Sequence, residues 1–201
     1  MKTMTRTFLH LPAWMVPVVL AASLSTARPA QAIWNYFTPA EVLEVAFPNG
    51  ESIQEISWKL MDRAKKKEIE LALGRTLAFR RIKCFQGSSG GAVVGYACID
   101  NVIGRWRPIT YMIKIDHPAG VIVHYEIMIY REAVGKETGF GPFRDQFRGK
   151  KGGDPFEYGV DLRNLAGATM SAVGLRDGFV KIMAVYEHFF KDLPVLSGKS
   201  G

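Results

Sequence analysis

The sequence predicts an α+β fold in which an antiparallel β-meander packs with helices and ends in a C-terminal amphipathic helix. Segments of alternating apolar residues, joined by short Gly/Pro turns, predict the meander. The predicted strands span residues 77–85, 92–101, 109–115 and 121–131. The last helix is predicted over residues 171–190, because Leu175, Phe179 and Ile182 recur there at helical spacing.

The segment before the meander, residues 33–74, is expected to be a helical and edge-strand part of the same domain as residues 75–193. A short helix or turn over residues 40–47 precedes a Pro-Asn-Gly break. Residues 52–58 fit either a capping box formed by Ser52 and Glu55 or an edge strand. A further helix is predicted from Asp62, as its N-cap, to Leu73, with Gly74 as the stop.

The N-terminus predicts an exported protein. Lys2 and Arg6 precede an apolar stretch, and Ala30-Gln31-Ala32 follows it, a pattern typical of a signal peptide over residues 1–32. The stretch is shorter than the roughly 20 residues that a spanning helix needs, and an uncleaved anchor is the alternative. We therefore expect a periplasmic or otherwise extracytoplasmic protein, soluble after cleavage, with a flexible tail over residues 194–201.

Charge and cysteine content exclude several functions. The formal net charge of +7 falls to +4 (7 − 3) once Lys2, Arg6 and Arg28 are removed, and such spread basicity argues against a nucleic-acid partner. Scattered histidines and the lack of a Cys-x-x-Cys pair predict no metal site and no thioredoxin chemistry. Cys84 and Cys98 can form a cross-strand disulfide or remain two buried thiols. The sequence shows no arrangement of a nucleophile with a base, so we predict no catalytic residues.

A run of small residues before the last helix is the most suggestive site. Gly167 and Ala168 leave room for another molecule near Thr169, whose hydroxyl would stand at a helix N-terminus that favours anions such as phosphate. The alternative interpretation is that Thr169 or Ser171 serves only as an N-cap.

A glycine-rich loop at residues 136–142 is a second candidate. Gly139 and Gly141 allow the backbone to approach a ligand closely, and Thr138 supplies a hydroxyl. The Gly-Ser-Ser-Gly-Gly run at residues 87–91 lacks the ending of a phosphate-binding P-loop and is predicted to be a hairpin loop.

The order of these features resembles one known family. A signal peptide and a meander are followed by Tyr130-Arg131-Glu132, Lys-Glu-Thr-Gly at 136–139, aromatic-x-x-Gln-Phe-x-Gly-Lys at 143–150, and Gly-Ala-Thr at 167–169. Together they resemble the extracytoplasmic FMN-binding domain family. That family includes domains of the sodium-translocating NADH:quinone reductase C subunit and of the corresponding Rnf-complex subunit. The resemblance covers residues 75–190.

The resemblance implies a covalent cofactor. The family carries FMN on the threonine of its motif through a phosphoester, installed by a flavin transferase that uses FAD as donor. The implied FMN acceptor is Thr169, and the other implied FMN-binding residues are Gly167, Ala168, Ser171, Thr138, Gly139 and Gly141. Two positions differ from the family motif: Ala166 replaces Ser or Thr, and Arg163 replaces the usual Asp, although Asp161 lies nearby.

A covalent flavin in an exported protein indicates electron transfer, because flavins exchange electrons with organic donors and with metal centres. We expect an electron carrier between a membrane-bound redox partner and an extracytoplasmic acceptor, rather than an independent enzyme. Two alternatives are a flavin-dependent reductase of a small substrate and an interaction module that keeps the fold without flavin. Ala166 and Arg163 favour the interaction module.

Overall fold

A computed structural model describes residues 33–133, 135–139 and 141–196 and has the predicted α+β architecture. The six strands form one antiparallel sheet in the order β1-β6-β5-β4-β3-β2. The strands are β1 (Trp34–Asn35), β2 (Ser52–Glu55), β3 (Lys83–Ser89), β4 (Ala92–Ile103), β5 (Pro108–Asp116) and β6 (Ile122–Tyr130). The helices are α1 (Pro39–Ala46), α2 (Arg63–Leu73), α3 (Gly141–Asp145) and α4 (Thr169–His188). The predicted signal peptide lies outside the described residues.

The meander β3 to β6 matches the prediction except at its first strand. The chain makes a 3-10 turn at Phe79–Arg81, and β3 runs from Lys83 to Ser89, through part of the predicted loop. Gly87 lies within β3. A Cβ at this position would lie 2.1 Å from Cε1 of Phe47, so the glycine allows the Phe47 ring to approach the strand closely. Gly90 and Gly91 alone make the hairpin turn.

The N-terminal segment resolves the open alternatives. Ser52–Glu55 is an edge strand paired with β3, so the capping box expected there does not form. Asp62 caps α2 through the N–H of Lys65 and Gly74 ends the helix, as predicted. The strand β1 is unpredicted: it pairs Trp34 with Tyr130 of β6.

The sheet separates two apolar layers. One face packs on α4 through residues such as Tyr111, Tyr125 and Phe179, and the other packs on α1 through Phe47 and Met112. Leu193 and Leu196 also pack against the layer that contains α4.

The C-terminal segment differs from the flexible tail predicted over residues 194–201. The side-chain amide of Gln86 donates to the Pro194 carbonyl at 2.9 Å and accepts from the Leu196 N–H at 2.6 Å. Residues 194–196 are therefore fixed on β3, and residues 197–201 lie outside the described part.

Cys84 and Cys98 form a disulfide between β3 and β4, which excludes the alternative of two free thiols. The two residues are directly paired in the ladder, and both are fully buried. Disulfides are typical of oxidising compartments outside the cytosol. No helix in the described part of the chain is long and apolar enough to cross a membrane.

Removing this disulfide should lower stability substantially. It closes a loop with a sequence separation of 14 residues, for which the chain-entropy model gives about 3 kcal/mol. We expect Cys84→Ala with Cys98→Ala to lower the free energy of unfolding by about that amount in urea titrations. A double variant as stable as the wild type, measured with and without reductant, would contradict this.

Lys114 is a buried charge on the α1 face of the sheet. Its ammonium nitrogen lies 3.6 Å from the centre of the Phe47 ring, and the residue is 7% exposed. Burial lowers the pKa of Lys114 to about 8, although the negative charges of Glu51 and Asp116 oppose the shift. The protonated form is therefore less favourable in the folded than in the unfolded protein.

Stability should consequently rise with pH through the range in which folded Lys114 loses its proton. Because the pKa is lower in the folded state, the penalty is full below about 8 and disappears towards the unfolded value near 10.5. Between about pH 7 and about pH 9.5 the expected gain is about 2 kcal/mol. Urea titrations of wild type and Lys114→Met measure it, because the difference between them cancels the other titrating groups. Parallel curves would show that Lys114 does not carry this dependence.

Candidate functional site

Helix α4 begins at Thr169, two residues before the predicted start. Ala168 is its N-cap and makes no side-chain cap hydrogen bond, so the interpretation of Thr169 or Ser171 as the N-cap is wrong. The turn that ends with the Ala168 N–H donating to the Leu165 carbonyl leads directly into the helix. The first helical hydrogen bond runs from the Ala172 N–H to the Ala168 carbonyl, so the backbone N–H groups of residues 169–171 have no i−4 partner.

The four small or hydroxyl residues of the motif line one cavity. This cavity has a volume of about 570 Å³ and is lined by Arg105, Trp106 and residues 167–171. The side chain of Thr169 is exposed to it, whereas Ser171 is buried. The structure thus brings Gly167, Ala168, Thr169 and Ser171 together beside a loop from the β4–β5 connection.

A buried carboxylate fixes that loop. Glu132, 4% exposed, accepts hydrogen bonds from the backbone N–H groups of Trp106 at 2.6 Å and Arg107 at 2.8 Å. Its neighbour Arg131 donates to the Pro108 carbonyl at 3.0 Å. The Arg-Glu pair that follows β6 therefore holds the loop that lines the cavity together with Thr169.

Tyr130 connects the same strand end to α4. Its phenol oxygen lies 3.0 Å from the Ser171 hydroxyl. Burial raises the pKa of Tyr130 to about 12, although the Ser171 hydrogen bond opposes the shift, so the phenol is neutral at physiological pH. Gly135 fits here only without a side chain, since a Cβ would lie 2.5 Å from that phenol oxygen and 2.9 Å from the Ser171 Oγ.

The glycine-rich loop lies next to the motif but does not share its cavity. Thr138 is fully buried, and its hydroxyl donates to the Gly135 carbonyl at 2.8 Å. Gly139 packs on Ile127 of β6, and Gly141 opens α3. Of the three predicted loop residues, Gly139 lines a separate cavity of about 240 Å³, together with Lys136.

Sequence reasoning missed two residues that line the cavity together with Thr169. Residues 104–108 were interpreted only as a connection between strands, yet they carry Arg105 and Trp106. The indole of Trp106 is 74% exposed, and the Arg105 guanidinium lies 5.4 Å from its centre. A tryptophan between two arginines in a Gly/Pro turn was the available signal, because a core tryptophan is rarely placed in such a turn.

Neither of the two departures from the family motif, Ala166 and Arg163, is among the residues that line the cavity, although Ala166 directly precedes Gly167. Asp161 accepts from the backbone N–H groups of Phe156 at 3.1 Å and Glu157 at 2.6 Å, and it pairs with Lys150. It therefore braces its own loop. The backbone N–H of Arg163 donates to the Gln146 side chain at 2.7 Å. Within the described ranges, no group of three His, Cys, Asp or Glu residues could hold a metal ion.

Comparison with models of known protein families finds no match, and comparison with curated proteins finds none either. The family resemblance therefore rests on the order and spacing of the motifs in this sequence.

Proposed function

We propose that this protein is an exported flavoprotein that carries FMN through a phosphoester on Thr169. In this proposal it transfers electrons between a membrane-bound donor and an extracytoplasmic acceptor. The observation that carries the proposal is the exposed Thr169, which is the first residue of a 20-residue helix and lines a cavity there.

The cavity suits a phosphate group. The unpaired N–H groups of the first turn of α4 and the helix dipole favour an anion by about 0.3–1 kcal/mol at an exposed site. Arg105 adds a guanidinium in the same lining, and guanidinium groups bind phosphate oxygens in a bidentate manner.

The cavity also suits an aromatic ring system. Its volume of about 570 Å³ lies within the range of roughly 300–1,000 Å³ that is typical of small-molecule sites. The exposed indole of Trp106 offers a flat apolar surface, and Met170, 54% exposed, adds a flexible one.

Attachment requires a second protein. Arg105 is the one titratable residue in the lining of the described cavity, so the chain offers no general base to Thr169 there. The flavin transferase supplies that base. The bond from Thr169 Oγ to phosphorus forms as the pyrophosphate bond of FAD breaks, AMP leaves, and the hydroxyl proton passes to the transferase.

Bound FMN supplies reversible one- and two-electron chemistry. The protein's own residues hold the phosphate end at Thr169, fix the Trp106 loop through Glu132, and keep the cofactor on a chain that leaves the cytoplasm. The Cys84–Cys98 disulfide supports an extracytoplasmic location.

Coexpression with an FAD-dependent flavin transferase tests the function. We expect denatured wild-type protein to keep flavin fluorescence in an electrophoresis gel only when the transferase is present. Membranes that contain the donor should then bleach its flavin absorbance without added small substrate. A protein that stays colourless with a competent transferase would favour the interaction module. Turnover with a small substrate alone would favour the reductase.

A further inference from the structure

A cavity larger than the one at Thr169 lies elsewhere in the described part of the chain. It has a volume of about 660 Å³ and is formed by the end of β2, the 3-10 turns at Trp58–Leu60 and Phe79–Arg81, and α2. Trp58 in its wall stacks on Phe190 at 6.1 Å between ring centres, just beyond the C-terminal end of α4. Thr169 begins the same helix, so a helix length of about 30 Å separates the two sites.

The rim of this cavity is strongly positive. Five cations line it, against the single carboxylate of Glu55; the cations are Lys59, Lys66, Arg80, Arg81 and Lys83. Within the described residues, none of the five takes part in an ion pair. Uncompensated cations at a concave surface attract and concentrate anions.

The sequence concentrates its charge at this place. Residues 59–83 carry nine Lys or Arg against three Asp or Glu, a net charge of +6. All of residues 33–201 together carry +4, so the remainder of that part is net negative by two charges. The basicity that looked spread along the chain is therefore local.

The floor of the cavity is apolar. Ile56, Phe79 and Ile82 are buried beneath it. The indole N–H of Trp58 already donates to the Ile82 carbonyl at 2.8 Å, so its ring offers an aromatic surface rather than a donor. A bare inorganic ion would leave this floor uncovered.

We propose that this cavity binds a small amphipathic organic anion, whose apolar ring or chain covers Phe79 and Trp58 while its phosphate, sulfonate or carboxylate meets the arginines. This site is additional to the flavin site and does not depend on it. A bound ligand would stabilise the folded protein according to its concentration and affinity.

Titration calorimetry with 8-anilinonaphthalene-1-sulfonate on the whole protein, with or without flavin, tests the proposal. We expect one saturable site. Reversing the exposed pair with Arg80→Glu and Arg81→Glu should weaken binding by about tenfold or more, since both charges at the rim become repulsive. The matched control is Arg148→Glu with Lys151→Glu, an equal charge change at exposed positions on another loop, and it should shift affinity by less than about twofold.

Further measurements distinguish this site from the binding of a simple ion or of a membrane surface. Inorganic sulfate should not compete at equal concentration, because it cannot cover the apolar floor. Lys59→Glu, on a different turn, repeats the test if circular dichroism shows that the arginine variant is unfolded. Equal affinity in wild type and the folded rim variants would overturn the site. Binding to phosphatidylglycerol vesicles without any saturable binding of the soluble probe would also overturn it and would assign the rim to a membrane surface. The cavity lies near the C-terminal end of α4, whereas Thr169 is at its N-terminal end. A negative result at the cavity would therefore not affect the assignment of Thr169 as the FMN acceptor.

Discussion

Thr169→Ala should abolish covalent flavin while leaving the fold intact. The residue is exposed and is not the N-cap of α4, so its loss costs little stability, within about 0.5 kcal/mol. The phosphoester, in contrast, has no other oxygen to form on at this position. Gel fluorescence after denaturation and the intact mass of the variant, each coexpressed with the transferase, measure the loss.

Two further variants separate the hydroxyl from its surroundings. Thr169→Ser keeps an acceptor oxygen and should retain part of the attachment. Ser171→Ala removes the hydrogen bond to Tyr130 but leaves Thr169 in place, so covalent flavin should persist. Covalent flavin on the Thr169→Ala protein would show that another residue is the acceptor.

Glu132→Ala should be among the most destabilising single substitutions at the site. The buried carboxylate satisfies two backbone N–H groups of the loop that carries Trp106, and the variant leaves both without it. Hydrogen bonds to charged groups contribute about 1.5–3 kcal/mol each, and water replaces part of that at an exposed loop, so we expect a loss of about 2–4 kcal/mol. Urea titration measures it.

The same variant should also flavinylate poorly, because the Arg105–Trp106 part of the cavity wall is no longer fixed. Glu137→Gln is the matched control: this exposed acid lies in the neighbouring glycine-rich loop, and its effect should stay within about 0.5 kcal/mol. Normal stability and full attachment in Glu132→Ala would show that the loop holds its position without the carboxylate.

The sequence predicted those elements whose signal is local and repeated. Strands β4, β5 and β6 are apolar-rich segments of nine or more residues with many Val, Ile and Tyr side chains, and α4 repeats its apolar residues over 20 positions. β1 has two residues, too few for any period, and exists because Trp34 pairs with Tyr130 far along the chain. The predicted start of β3 was wrong because Leu77 and Phe79 do not belong to a strand. They lie in the wall of the 660 Å³ cavity that has the positive rim.

The same distinction between local and long-range signals applies to the residues of the candidate site. Gly167, Ala168 and Thr169 are adjacent in sequence, so their common cavity followed from the motif. Arg105 and Trp106 come from a loop more than 60 positions earlier, and only the tertiary fold places them there. Thr138 was predicted to supply a hydroxyl to the flavin site, and this stays a prediction; in the described structure that hydroxyl donates to the Gly135 carbonyl.

The most direct test of the central claim is peptide mapping of the wild-type protein after coexpression with a flavin transferase. Trypsin cleaves after Arg163 and Arg176, and it releases residues 164–176 with both Thr169 and Ser171 inside. We predict that this peptide carries the mass of one FMN phosphoester and that fragmentation assigns it to Thr169. An unmodified peptide from protein made with a competent transferase, or a flavin assigned to any other residue, would contradict the account.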